Sequence, residues 1–102
     1  MSTKRPFTSD DFFKKYGPLT FGKLLNSHRI TEEISQTDFA KSLGISRANL
    51  CDLEKGRKLP SFARAAKIAK LLKHDPRFFI QIALEDMLRR EKLKFKVTVE
   101  AA

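Results

Sequence analysis

The sequence predicts an all-α protein: a compact bundle of about five helices, with a short extra helix ahead of it and a β-strand behind it. Three observations carry that expectation. Apolar residues recur at helical spacing over most of the 102 residues. The helical stretches begin after Ser, Thr or Asp at the N-cap position, and several end at Gly or before Pro. Only residues 94–99 alternate polar and apolar with period two, the pattern of a half-buried strand.

Taken in order, residues 1–7 are a loose basic end. Ser9 caps a helix through Tyr16, with Asp10 and Asp11 where the helix dipole favours negative charge, and Gly17-Pro18 stops it. Thr20 caps a helix over 21–29 with Phe21, Leu24, Leu25 and His28 on one face. Ser35 opens the next, with Asp38 in a capping-box position and Phe39, Ala40 and Leu43 as its apolar side, and Gly44 ends it. Ser46 caps a fourth, which turns Leu50 and Leu53 inward and stops at Gly56. Residues 62–73 follow, with Phe62, Ala65, Ala66, Ala69 and Leu72 as apolar positions. Asp75-Pro76, a cap followed by an N1 proline, starts the last helix, which runs to about Glu91. The chain therefore divides into an extension (1–19), a helical domain (20–91) and a tail (92–102).

Composition narrows the function. Twenty-one Lys and Arg against 12 Asp and Glu leave a net charge of +9 and a pI of about 10.0, which attracts polyanions, nucleic acid foremost. More than half of that excess lies beyond residue 60. No apolar run is long enough to span a bilayer, and no secretory h-region opens the chain. A single cysteine, Cys51, excludes an intrachain disulfide. Together these favour a cytoplasmic protein without membrane association. His28 and His74 lack Cys or carboxylate neighbours at ligand spacing, so no metal is expected. No glycine-rich phosphate loop, acid pair or nucleophile–base arrangement suggests an enzyme, and no cofactor is implied.

The informative stretch is 36–60, QTDFAKSLGISRANLCDLEKGRKLP. Two helices that cross steeply need a small residue where they touch, and Ala40 supplies it. The tight turn between them needs a residue free of Cβ strain, and Gly44 supplies that. Ile45 buries the turn, while Ser46 caps the second helix and leaves its N-terminus open. With Leu50 and Leu53 turned inward, Arg47, Ala48, Asn49, Cys51 and Asp52 face out. An exposed helix start bearing Arg and Asn, beside the basic run Lys55, Arg57 and Lys58, suits a groove lined with phosphates.

In this arrangement, Gln-x3-Ala-x3-Gly-Ile-Ser-x3-Leu-x2-Leu-Glu-x-Gly-x3-Pro, the sequence resembles the Cro/phage-repressor type of helix-turn-helix, often called Xre. The resemblance covers residues 20–73. It implies a phage-repressor-like domain binding double-stranded DNA, with Gln36 on a phosphate and Ser46, Arg47, Ala48 and Asp52 at base-edge positions. It also implies a backbone contact for Lys55 and a structural ion pair between Arg29 and Glu54. Relatives often carry a neutral amide at the place of Asp52. A carboxylate there either accepts from cytosine N4 or repels phosphate and sharpens specificity.

Other features admit two readings. The stripe Arg64, Lys67, Lys70 and Lys73 is a solvated helix face or a phosphate contact. Phe78, Phe79, Ile80, Ile82 and Ala83 surround the last helix, as core or as a subunit interface. Cys51 is an outward thiol beside Asp52, unreactive or a redox switch. The strand at 94–99 places Phe95, Val97 and Val99 on one face and needs a partner from another chain. That partner is a second copy, in a homodimer, or a small toxin protein. The expected function is a dimeric repressor reading a palindromic operator in the major groove. The alternative is an antitoxin, a subgroup similar in size and layout, that neutralises a toxin and autoregulates its operon.

Overall fold

The computed structural model describes residues 17–102, which hold five α-helices. They are α1 (Phe21–Thr31), α2 (Gln36–Leu43), α3 (Arg47–Glu54), α4 (Phe62–Leu71) and α5 (Pro76–Arg90). The helix expected over residues 9–16 lies outside the described residues. Each N-terminus is capped by a side chain: Thr20, Ser35, Ser46 and Ser61 accept from the backbone N–H three residues on, and Asp75 from that of Arg77. The stops are of two kinds. Gly44 (φ 72°) and Gly56 (φ 75°) follow α2 and α3, but Glu33, Lys73 and Lys92 adopt the same left-handed conformation after α1, α4 and α5.

The core is a single cluster to which every helix contributes. Phe21 and Leu25 of α1, Phe39, Ala40 and Leu43 of α2, and Leu50 and Leu53 of α3 meet Ala65, Ile68 and Ala69 of α4 and Phe79, Ile82 and Ala83 of α5. Phe21 and Phe79 pack edge-to-face with ring centroids 5.9 Å apart. Of the apolar residues expected on α5, Phe79, Ile82 and Ala83 are core, whereas Phe78 is exposed and Ile80 half-buried. Ile68 belongs to the core, while Phe62 faces solvent. Two devices fasten α1. The carboxylate of Asp86, buried on α5, accepts the Phe21 N–H at 2.8 Å and pairs with Arg89. Gly22 lies so close to the end of α3 that a Cβ there would sit 2.4 Å from the Leu53 carbonyl oxygen and 2.6 Å from that of Glu54.

Residues 94–99 form no strand, contrary to the expectation from their alternation, and none is present among the described residues. A strand requires a neighbouring row of N–H and C=O groups, and the helical bundle presents none. The tail instead lies against α5, where the Val97 N–H donates to Glu85 Oε2 at 2.9 Å. The apolar face assigned to it is split: Val97 and Val99 are half-buried and Phe95 is 65% exposed. Among the described residues, no helix is long and apolar enough to cross a membrane.

Candidate nucleic-acid interface

The α2–turn–α3 unit is built from its caps inward. The Ser35 hydroxyl accepts from Asp38 N–H at 3.1 Å and starts α2. At its end Gly44 turns left-handed, and the N–H of Ile45 returns to the Ala40 carbonyl at 3.0 Å. The chain can therefore enter α3 within three residues, with Ala40 almost wholly buried at the crossing. The Ser46 hydroxyl accepts from Asn49 N–H at 3.0 Å. Leu50 and Leu53 anchor α3 in the core, which leaves Ser46, Arg47 and Ala48 exposed at its start and Asn49, Cys51 and Asp52 half-buried along its flank.

The far end of α3 is locked by Glu54, whose side chain is only 3% exposed. Arg29 Nε donates to Oε2 at 2.8 Å and Nη2 to Oε1 at 3.2 Å, a two-pronged fork. Asn26 and Gln36 also donate to Oε1, at 3.3 and 3.0 Å. A third guanidinium N–H reaches the Ile34 carbonyl at 3.2 Å. One carboxylate thus ties α1, the α1–α2 loop, the start of α2 and the end of α3 together. Burial alone pushes Glu54 up, but the bonds from Arg29, Gln36 and Asn26 outweigh it and hold its pKa below the ordinary glutamate value. Gln36, assigned to a phosphate in the sequence, spends one amide N–H on Glu54. A primary amide has a second one.

Beyond α3 the basic loop is organised by Asp52. Arg57 Nε donates to its Oδ1 at 2.8 Å, and Lys58 Nζ lies 3.6 Å from its Oδ2. Arg57 Nη2 also reaches Cys51 Sγ at 3.4 Å. These bonds, the one from Arg57 first, lower the Asp52 pKa. The carboxylate expected to face bases or repel phosphate therefore holds two of the predicted phosphate-contacting cations. Lys55, Arg57 and Lys58 are all exposed. Arg64 and Lys67 of α4 line an open cleft beside Gly44 and Ile45, which brings the front of the α4 stripe next to the turn. His28 and His74 pack edge-to-face with centroids 6.0 Å apart, between Phe39 and Phe79. Among the described residues, no group of three or more His, Cys, Asp or Glu is placed to hold a metal ion. The sequence reasoning missed Asn26, Gly22 and Asp86, which set the pose of the unit from α1 and α5.

A capped helix pair closed by a left-handed glycine, with the start of its second helix bare, defines a helix-turn-helix domain. The helix-turn-helix family model matches residues 27–79, just over half of the chain, and the protein belongs to that family, of Xre type. It is 43% identical over 54 residues to the ImmF control region 10 kDa protein of Bacillus phage phi105, an alignment spanning 53% of this chain and 60% of the phage protein. It is 36% identical over 63 residues to an uncharacterized HTH-type transcriptional regulator of Methanocaldococcus jannaschii, spanning 62% of this chain and 83% of that protein. No solved structure matches the chain significantly.

Proposed function

We propose that the protein is a transcriptional regulator that binds double-stranded DNA sequence-specifically, acting as a homodimeric repressor at a palindromic operator. One observation carries the reading. The start of α3 is exposed, capped by Ser46 and bears Arg47, while its rear is locked by the Glu54 junction. A rigid helix that presents its first turn is the shape that enters a major groove. In this reading Ser46, Arg47, Ala48 and Asn49 meet base edges, and Gln36 and Lys55 meet phosphates. Arg57 and Lys58 exchange Asp52 for phosphate, so that Asp52 opposes weak, sequence-blind attachment. The names of the phage and archaeal relatives, a control-region protein and a transcriptional regulator, support the regulatory role. The exposed Phe78 and Met87 of α5, with Leu93 and Phe95 after it, offer apolar surface to a second copy. The antitoxin alternative rests on size and layout; residues 94–99 form no strand, so they offer no edge for a toxin strand to complete.

The test is Arg47→Ala, assayed against DNA chosen by in vitro selection. Loss of a bidentate guanine contact should weaken specific binding by about 1–3 kcal/mol and relax preference at one base pair. An equal loss on all sequences would place Arg47 on the backbone and remove it from the reading surface.

A further inference from the structure

The C-terminal end of α5 comes back to the loop that follows α3. Arg90 Nη2 donates to the Gly56 carbonyl at 2.9 Å, a contact across 34 residues of sequence. Between them lies an open groove that Lys23, Lys55, Arg89 and Arg90 line from three elements. Its two acids are committed inward: Glu54 to Arg29, Asn26 and Gln36, and Asp86 to the Phe21 N–H and Arg89. The charge it presents to solvent is that of the exposed Lys55 and Arg90, and it adjoins Arg57 and Lys58.

We propose that this groove is a phosphate-binding surface, centred on Arg90 and Lys55, that takes a DNA backbone phosphate flanking the base pairs read by α3. The inference rests on the DNA-binding reading above and extends the contact surface to α5, outside the helix-turn-helix unit. A guanidinium has five N–H groups in a planar fork. One that spends a single N–H on a carbonyl still offers a charged face to an oxyanion. The groove is open rather than enclosed, with cations from the α3–α4 loop and α5 along it, which suits a passing polymer strand better than an enclosed small ligand. Arg90 thus has two tasks at one place: it braces the Lys55–Lys58 loop through Gly56 and adds a cation beside it.

The experiment measures affinity against salt for the full chain and two variants, on selected and random duplexes. Arg90→Ala removes brace and charge. Arg90→Gln keeps a shorter side chain with amide N–H groups but no charge. Both should lose about one unit of salt slope and bind both kinds of duplex roughly five- to tenfold more weakly at moderate salt. Shortening the selected duplex past the flanking phosphate should abolish the difference from wild type. A wild-type slope in Arg90→Gln would reduce Arg90 to a brace and overturn the proposal. So would saturable binding of inorganic phosphate at constant ionic strength, lost in Arg90→Gln, which would mark a site for a free small anion. If the wild-type protein binds no duplex at all, the DNA-binding reading itself fails. That outcome is distinct from a binding protein whose slope ignores Arg90.

Discussion

Replacing Gly22 with alanine should destabilise the domain by about 3 kcal/mol, despite alanine's better helix propensity, which favours the variant by less than about 1 kcal/mol in the first turn of α1. The added methyl would lie 2.4 Å and 2.6 Å from the carbonyl oxygens of Leu53 and Glu54. Neither is the flexible end of a side chain; both belong to the last turn of α3, so relief requires α1 and α3 to part. Phe21 and Leu25 on one side and Leu50 and Leu53 on the other are almost fully buried, so parting the helices opens the close-packed core. Urea unfolding of the two proteins measures the effect. A variant as stable as wild type would mean that the helices do not approach so closely.

Glu54→Ala should be comparably severe, at about 3 kcal/mol. Truncation strands the Arg29 guanidinium, whose side chain is 18% exposed, and takes the acceptor from Asn26 and Gln36. Removing one partner of a buried ion pair costs about 3–5 kcal/mol, and the remaining access of Arg29 to water keeps the loss near the lower end. The same junction sets a pH dependence. Because the folded-state pKa of Glu54 is lowered, its contribution is complete above the ordinary glutamate range and is lost as pH falls through the folded value. Asp86 acts with the opposite sign. Its pKa is raised, by burial above all, so its folded-state preference for the proton weighs against stability as pH rises past the ordinary aspartate value. Acid unfolding of Glu54→Gln should accordingly show a shallower loss of stability below about pH 4.5 than wild type. Parallel curves for the two proteins would remove Glu54 from the acid transition.

Much of this architecture was legible in the chain because its signals are local. A capping hydroxyl bonds an N–H three residues away, and Gly44 answers a constraint within its own turn, so α2, α3 and the turn between them can be read from neighbouring residues. The helix ends at Glu33, Lys73 and Lys92 carried no such mark, because residues with side chains occupy a conformation usually left to glycine. The expectations for α1 and α4 accordingly missed their ends by two residues. Asp86 and Gly22 were invisible for another reason: their partners are 65 and about 30 residues away, and an Asp or Gly within a helix carries no local mark of a distant partner. The strand at 94–99 failed because alternation specifies a face and not a neighbour, and pairing needs both. At the site, local reading found the outward residues of α3 but not that Asp52 holds Arg57 and Lys58, which depends on how the loop folds back.

The claim that the first turn of α3 reads the major groove is tested most directly by methylation protection of guanine N7, an atom that lies in that groove. The protein would be bound to DNA obtained by in vitro selection, and Arg47→Ala compared on the same fragment. The account predicts protected guanines in two half-sites about one helical turn apart, roughly 34 Å, with one guanine in each exposed again in the variant. Protection absent from every guanine while the duplex is bound, or unchanged by Arg47→Ala, would contradict it.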